Sequence, residues 1–491
     1  RLSTIWRYDV ATGARQQLTS DAFNASTPAF DAGGEHFFFT SYRNFSNVTS
    51  DWIQNRIINR ELATVMDVPL RGTAFDVASF ERRATRRIGG ADAAATQAPA
   101  PAMPPMKVRV DLRAEWRELF VDAWRQYRDF FFAPKAPLAD WPGVKVRYGA
   151  MIERCRTREE VNLVLAELIG ESSVGHAYIT NGGDVTPAPP PDAATLGADL
   201  AVENGAFRIT RIIEAAPWED AFRSPLRDAR EGESIVAIND KPVDVSRDPR
   251  AALAGLAGKE VKVTLAAPRQ STSSGDGQRV ITVTPLASEV ELRRRAWIER
   301  NRRRVDEASG GRIGYIHIPD FTTNGFGDLA RQYYGQIAKE ALILDARWSI
   351  GGSTGATLAE LFARRPLNYA ASRYSENAWP APRYGAHFGR KALLVNHITV
   401  SAGENFSSYF RKLALGPIVG SRTWGGLTGL NITPSLIDGG AVNIPNAPFF
   451  DESGWLIEGH GLDPDVVVEG DPDAQLDAAV KALDYSSRPH D

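Results

Sequence analysis

The apolar pattern of this chain changes period from one segment to the next, so no single sheet or bundle can absorb it. Over residues 111–170, Leu112, Trp116, Leu119, Ala123, Tyr127 and Phe130 recur at three- and four-residue steps, which is one face of a helix. Over 195–287 the pattern alternates, as in Phe207-Arg208-Ile209-Thr210-Arg211-Ile212 and Val261-Lys262-Val263-Thr264-Leu265, which is the period of a strand. Over 291–484 short apolar runs such as Ala341-Leu342-Ile343-Leu344-Asp345 and Ala392-Leu393-Leu394-Val395 alternate with helical stretches, the pattern of an α/β layer. The length of 491 residues also exceeds what one hydrophobic core serves. The expected fold class is multidomain α+β.

Residues 1–75 read as β-structure, with strand, D-x-x-x-G turn and strand in the manner of a propeller blade, as in Asp31-Ala32-Gly33-Gly34 before His36-Phe37-Phe38-Phe39. One or two blades close no ring, so this reads as a β-propeller remnant. An Ala/Pro-rich linker is expected over 76–106, a small helical domain over 107–190, a β domain over 192–288 and an α/β domain over 291–485. A second helix through 159–168 is expected to end on Gly170 as its C-cap. The chain opens on Arg1 without a signal-like apolar run, and its first residues read as mid-fold strand, so a fragment or processed chain is expected.

The net charge of -3 gives no reason to expect a nucleic-acid partner, and no apolar run is long enough for membrane insertion. The single cysteine, Cys155, is placed on a helix and read as a packing residue. It fits a cytoplasmic location, although a periplasmic one is compatible. The absence of H-E-x-x-H, C-x-x-C and Walker A motifs leaves metal and cofactor chemistry without support.

Gly232-Glu233-Ser234-Ile235-Val236-Ala237-Ile238-Asn239-Asp240-Lys241-Pro242-Val243 resembles the central hairpin of a PDZ domain. Such domains accept a peptide as an added strand, and a structural spacer is the other reading of the same module.

Three dispersed residues carry the chemistry. His176 stands in Gly175-His176-Ala177-Tyr178, Ser401 in Val400-Ser401-Ala402-Gly403-Glu404, and Glu458 in Leu456-Ile457-Glu458-Gly459-His460-Gly461. A nucleophile, a base and an orienting carboxylate are the parts of acyl transfer. Ser401 falls where a strand meets a helix start, which exposes a hydroxyl and aims the Ala402 amide at an oxyanion. The ordinary reading of that position is a helix N-cap. A rival serine, Ser353, lies in Gly351-Gly352-Ser353-Thr354-Gly355, which matches G-x-S-x-G. The alternative use of those glycines is a close backbone approach to a substrate carbonyl. Of the other histidines, His397 is the competing base, expected to face away from Ser401.

Beyond these, Glu115-Trp116, Asp129-Phe130-Phe131-Phe132, Asp140-Trp141, Glu167-Leu168-Ile169-Gly170 and His176-Ala177-Tyr178 resemble the helical domain of tricorn proteases. The PDZ-like module follows in family order, then Gly314-Tyr315-Ile316-His317, Asp345-Ala346-Arg347 with Gly351-Gly352, Arg422-Thr423-Trp424-Gly425-Gly426 and Glu458 through Asp465. The resemblance implies an α/β catalytic domain of the tail-specific protease type and a serine endopeptidase acting on unfolded peptides. By position it makes Ser401 the nucleophile, His176 the general base and Glu458 the supporting carboxylate, with Gly352 and Ala402 as oxyanion donors. It implies a homo-oligomer, a hexamer in the family. Ser-Lys relatives carry their lysine where this chain has Gly426. The family commonly has serine before the histidine, where this chain has Gly175, so the link from Glu458 to His176 is expected to run through Ser173, Ser172 or a water. The competing readings are a catalytically decayed PDZ-type peptide-binding protein and an α/β-hydrolase-like esterase using Ser353.

Overall fold

The computed structural model describes residues 110–483 apart from 133–139, 181, 183–192, 217–218, 220–221, 269–276, 375–377, 382–385, 431–433, 453 and 456, and before them 3–19, 25–33, 35–42, 48–51, 56–59, 63–69 and 85–86. It divides into two compact units, Arg1–Arg109 with Leu367–Gly385, and Val110–Pro366 with Ala386–Asp491.

In the first unit, Trp6–Tyr8 pairs antiparallel with Arg15–Gln17 around a turn held by Asp9, whose carboxylate accepts the Ala11 and Thr12 amides. A four-stranded antiparallel sheet follows in the order Ala25–Phe30, His36–Tyr42, Ala63–Pro69, Thr85–Arg86. This up-and-down order is the form of one propeller blade. Alternation puts Phe37, Phe39, Met66 and Val68 into a small core. The fourth strand lies inside the stretch expected to be linker, and the other residues of 76–106 fall outside the described residues.

The second unit opens with three helices, α1 (Leu112–Phe130), α2 (Trp141–Ile152) and α3 (Arg158–Gly170). Asp111, Asp140 and Thr157 cap their N-termini by accepting first-turn amides. Trp116, Leu119, Phe120, Ala123 and Tyr127 form the buried stripe of α1, whereas Leu112 and Phe130, expected on that stripe, are exposed. Gly170 is the last helical residue rather than a left-handed cap; the positive φ comes three residues later, at Ser173 (φ 52). Cys155 is buried just beyond α2, not on it.

A six-stranded antiparallel sheet follows, five of its strands running in sequence order as β1 (Ala198–Glu203), β2 (Ala206–Ile212), β3 (Ser234–Ile238), β4 (Val261–Ala266) and β5 (Gln278–Val283), with the short Lys241–Pro242 strand paired to β3 off this path. Phe207, Ile209, Ile235, Val261, Val263 and Leu265 fill its core.

After the arginine-rich helix α4 (Val290–Ser309) comes a parallel sheet in the order β6 (Ile313–His317), β7 (Ala341–Asp345), β8 (Arg390–Val395), β9 (Ile418–Gly420), β10 (Val466–Val467). Its central strands are buried on both faces, as a parallel sheet covered by helices requires. Leu342, Leu344, Leu393 and Val395 pack toward α5 (Thr323–Tyr334), α6 (Gly355–Phe362) and α7 (Ala402–Lys412). Ile343, Ala392, Leu394 and Val419 pack toward α4 and α8 (Pro472–Leu483). Crevices outside the carboxyl ends of such strands are where α/β sheets hold ligands.

The helical region is stitched to the C-terminal part of the chain. Tyr178–Thr180 pairs with Ala441–Asn443, and Leu436, Val442 and Ile444 complete the helical core. Arg158 and Asp438, both 3% exposed, form an ion pair at 2.7 Å. Breaking such a buried pair leaves an uncompensated charge, so it fixes this docking. Among the described residues no helix is long and apolar enough to cross a membrane.

Candidate active site

Ser401 follows β8 and precedes α7, with φ 54 and ψ -118. An L-residue in that region is strained and persists only where its surroundings over-determine it. They do so here through two interlocked loops. Asn396 accepts the amides of Trp348 and Ile398, each at 3.1 Å, the Thr399 hydroxyl donates to Ala346 O, and the Val400 amide donates to Ser349 O. The strained strand-to-helix turn is the geometry that lifts a nucleophilic hydroxyl clear of its backbone.

Gly351 borders this residue. A Cβ on Gly351 would lie 2.8 Å from Ser401 Cβ, and its φ is 87. Gly352, at φ 138, lies against the Phe321 backbone, where a Cβ would meet a carbonyl carbon at 2.3 Å. Both positions therefore require glycine. At the start of α7 the amides of Gly403 and Glu404 donate to Val400 O and Ser401 O. The Ala402 amide stands at the first helical position, where helix geometry supplies no intrahelical acceptor.

Ser353 is placed differently. It is exposed, has no positive φ, and its amide donates to Phe321 O at 2.9 Å. The G-x-S-x-G match therefore marks a glycine loop beside Ser401, not a second elbow.

The carboxylate of Glu404 is fully buried beneath Ser401. It accepts the Ser401 amide at 3.2 Å, the Thr423 hydroxyl at 2.7 Å, and the Gly425 and Gly426 amides at 2.6 and 2.9 Å. Burial raises its pKa, and these four donors pull the other way.

His176 enters from the segment between α3 and Tyr178–Thr180. Its ring stands edge-on to Trp424 with centroids 5.6 Å apart, and edge-on to Tyr178 at 6.1 Å. Nδ1 is buried and has no hydrogen-bond partner among the described residues. Burial lowers the pKa of the ring below 6.5, and the charge of Glu458 opposes that shift. His176 and Ser401 are thus connected through one loop: Trp424 backs the ring, and the two residues after it bind the carboxylate that holds the Ser401 amide.

Glu458 holds this loop from the other side. Its carboxylate accepts the Gly175 amide at 3.1 Å and those of Leu427 and Thr428 at 2.8 and 2.6 Å. The preceding residue, Ile457, has φ 69, a costly conformation for a β-branched side chain. Neither of the two serines expected to carry a link from Glu458 to His176 makes a described hydrogen bond to either residue. The Ser172 hydroxyl contacts Tyr127 Oη at 2.6 Å and donates to Ile169 O at 2.7 Å. Ser173 is exposed, and no described hydrogen bond joins it to Glu458 or His176. A serine side chain at 175 has no room either, since its Cβ would fall 2.9 Å from both Gly426 Cα and the Trp424 ring. Trp424 also lies over Gly426, where a Cβ would meet the ring at 2.3 Å, so the position of the relatives' lysine is filled.

The other described histidines of this unit stand elsewhere. His397 is exposed, His317 and His387 are buried against the carbonyls of Arg347 and Lys339, and His460 pairs with Asp463. Glu404 and Trp424 went unassigned from sequence. The S/T-x-x-E spacing of Ser401 and Glu404 signals a capping box. It does not signal that the same carboxylate also binds a loop some twenty residues away.

Comparison with known proteins follows the same segments. The Tricorn protease C1 domain profile matches residues 112–170, the Tricorn protease PDZ domain 194–288, and Peptidase family S41 312–468. Tricorn protease homolog 1 of Streptomyces coelicolor is 36% identical over 388 residues, covering 76% of this chain and 35% of its own length. The tricorn protease of Thermoplasma volcanium is 31% identical over 385 residues, covering 76% of this chain and 36% of its own. The crystal structure of the tricorn protease superposes with a TM-score of 0.79 at 21% identity, covering 98% of this chain and 57% of that one. The chain thus spans about a third of the length of these two relatives.

Proposed function

The chain belongs to the tricorn protease family, and on that premise we propose that it is a serine endopeptidase cleaving unfolded peptides or oligopeptides. Ser401 is the nucleophile and His176 the general base. The observation that carries this reading is the strained backbone of Ser401, at φ 54 and ψ -118, pressed against Gly351 on the loop that follows a parallel strand.

His176 is suited to the role because burial keeps the ring neutral near pH 7. With Nδ1 buried, Nε2 takes the Ser401 proton as Oγ attacks the peptide carbonyl carbon. The amides of Gly352 and Ala402 stabilise the resulting oxyanion. Collapse breaks the C–N bond, and the leaving amine takes the proton from Nε2. Water then attacks the acyl-enzyme with His176 again as base. Glu458 acts on this machinery by holding the backbone at Gly175, Leu427 and Thr428. The PDZ-like domain is a candidate for gripping substrate as an added strand. A homo-oligomer, hexameric by family resemblance, completes the reading.

Labelling with a fluorophosphonate probe tests it. Wild type and Ser353→Ala are expected to label, and Ser401→Ala and His176→Ala to lose labelling. Loss only in Ser353→Ala would move the nucleophile to the glycine loop. A folded wild type that binds peptide without labelling would make the chain a binding protein. Light scattering on the purified chain reads the oligomeric state.

A further inference from the structure

We propose that Glu404 is the positioning residue that keeps nucleophile and base in register, one buried carboxylate holding both the Ser401 backbone and the Trp424 wall behind His176. The inference rests on the peptidase reading above. An N3 glutamate that accepts the N-cap amide is an ordinary helix cap. Glu404 does more than that. Each of its oxygens bridges the two loops or tightens one of them: Oε2 takes the Ser401 and Gly426 amides, and Oε1 takes the Thr423 hydroxyl and the Gly425 amide. Every partner is a donor, so only an ionised carboxylate satisfies the set. No Lys or Arg forms an ion pair with it among the described residues, and the N-terminal turn of α7 supplies the compensating field.

The network reaches further through Thr423. Its hydroxyl accepts the Leu462 amide at 2.8 Å while donating to Glu404. Gly425 O accepts the Gly459 amide at 2.7 Å, next to Glu458. The three segments that bear Ser401, Trp424 and Glu458 therefore meet at one side chain. Moving Gly425 and Gly426 shifts the Trp424 ring, which lies over Gly426 and against His176.

Glu404→Gln keeps the shape and turns an NH2 group toward two N–H donors. On the full chain it is expected to stay folded by circular dichroism while the rate of fluorophosphonate labelling falls by about 10²-fold. Placed on Ser401→Ala, it is expected to leave the affinity for an unfolded peptide within about threefold. Against a peptide substrate it is expected to lower kcat with KM little changed, because it misaligns the reacting pair and leaves the substrate contacts in place. If Glu404→Gln does not fold, Thr423→Val removes one of the four donors and is expected to slow labelling by about tenfold. Wild-type labelling by a folded Glu404→Gln, or a raised KM with kcat unchanged, would reduce Glu404 to a helix cap and overturn the inference. A wild type that does not label, or a Ser401→Ala that does, would overturn the peptidase reading and this inference with it.

Discussion

The loop that carries Ser401 and the loop that carries His176 are fixed by opposite means. Ser401 sits on the short loop after a strand buried on both faces, between a glycine loop that cannot accept a Cβ and a carboxylate that takes its amide. His176 sits on a segment fixed by its backbone, through the Gly175 amide on Glu458, with aromatic rings beside the imidazole and, among the described residues, no hydrogen-bond partner on Nδ1. Ser401 is thus set by geometry that leaves few alternatives, whereas His176 is held by packing that leaves its tautomer free. In this chain, changes on the serine side should be severe and changes on the histidine side graded.

The largest expected effects break the serine side. Ser401→Ala should abolish probe labelling and lower kcat/KM by about 10⁴-fold or more. Gly351→Ala is the more informative variant, since it touches no reacting atom. Its methyl would sit 2.8 Å from Ser401 Cβ on a backbone at φ 87. We expect kcat to fall by about 10²-fold or more, with KM little changed. A normal labelling rate in Gly351→Ala would mean that the elbow is not rigidly braced.

The next effect strikes the histidine side at its backbone clamp. Glu458→Ala leaves the Gly175, Leu427 and Thr428 amides without their acceptor. It is expected to cost about 2 kcal/mol of stability in denaturant titration and about 10²-fold in kcat/KM. A loss of rate with unchanged stability would show Glu458 acting on the imidazole and not on the backbone.

Much of this layout could be read from residues alone, and the part that could not has a physical reason. Alternating and helical periods report which face of an element is buried, so the PDZ-like strands and the α/β alternation were legible. They do not report where an element stops, which is why Gly170 was expected to cap α3 and Phe130 to be buried. The strand-to-helix position of Ser401 was visible, but its φ was not, because strain is set by neighbours such as Ser349 and Asn396. Ser172 and Ser173 looked equivalent beside His176 in the sequence. Packing separates them, committing Ser172 to Tyr127 and leaving Ser173 in solvent.

A smaller effect sharpens the contrast at Gly175. Gly175→Ser restores the residue common in the family, yet its side chain collides with Gly426 and Trp424. Alone it is expected to cost about 2 kcal/mol and to raise no rate. Combined with Trp424→Leu, which opens the space, it should recover part of the stability that Gly175→Ser loses. If the single variant is instead faster than wild type, the histidine loop is more adaptable than its packing implies.

The smallest expected effect is on the pH profile, and its sign follows from the two influences on His176. Burial lowers the imidazole pKa, and the negative charge of Glu458 raises it. The reactive form is the neutral one, so kcat/KM should rise with pH through a value below the ordinary 6.5 and level off above it. Glu458→Gln removes the charge that opposes burial. Its residual activity should therefore have an acid limb displaced to still lower pH, while the plateau falls. A displacement toward higher pH would mean that the clamp, not the charge, controls the imidazole: loosening it would admit water to the buried ring and return its pKa toward that of a free histidine. The direction of this one shift thus separates an electrostatic role for Glu458 from a purely mechanical one, a distinction that loss of activity alone does not make.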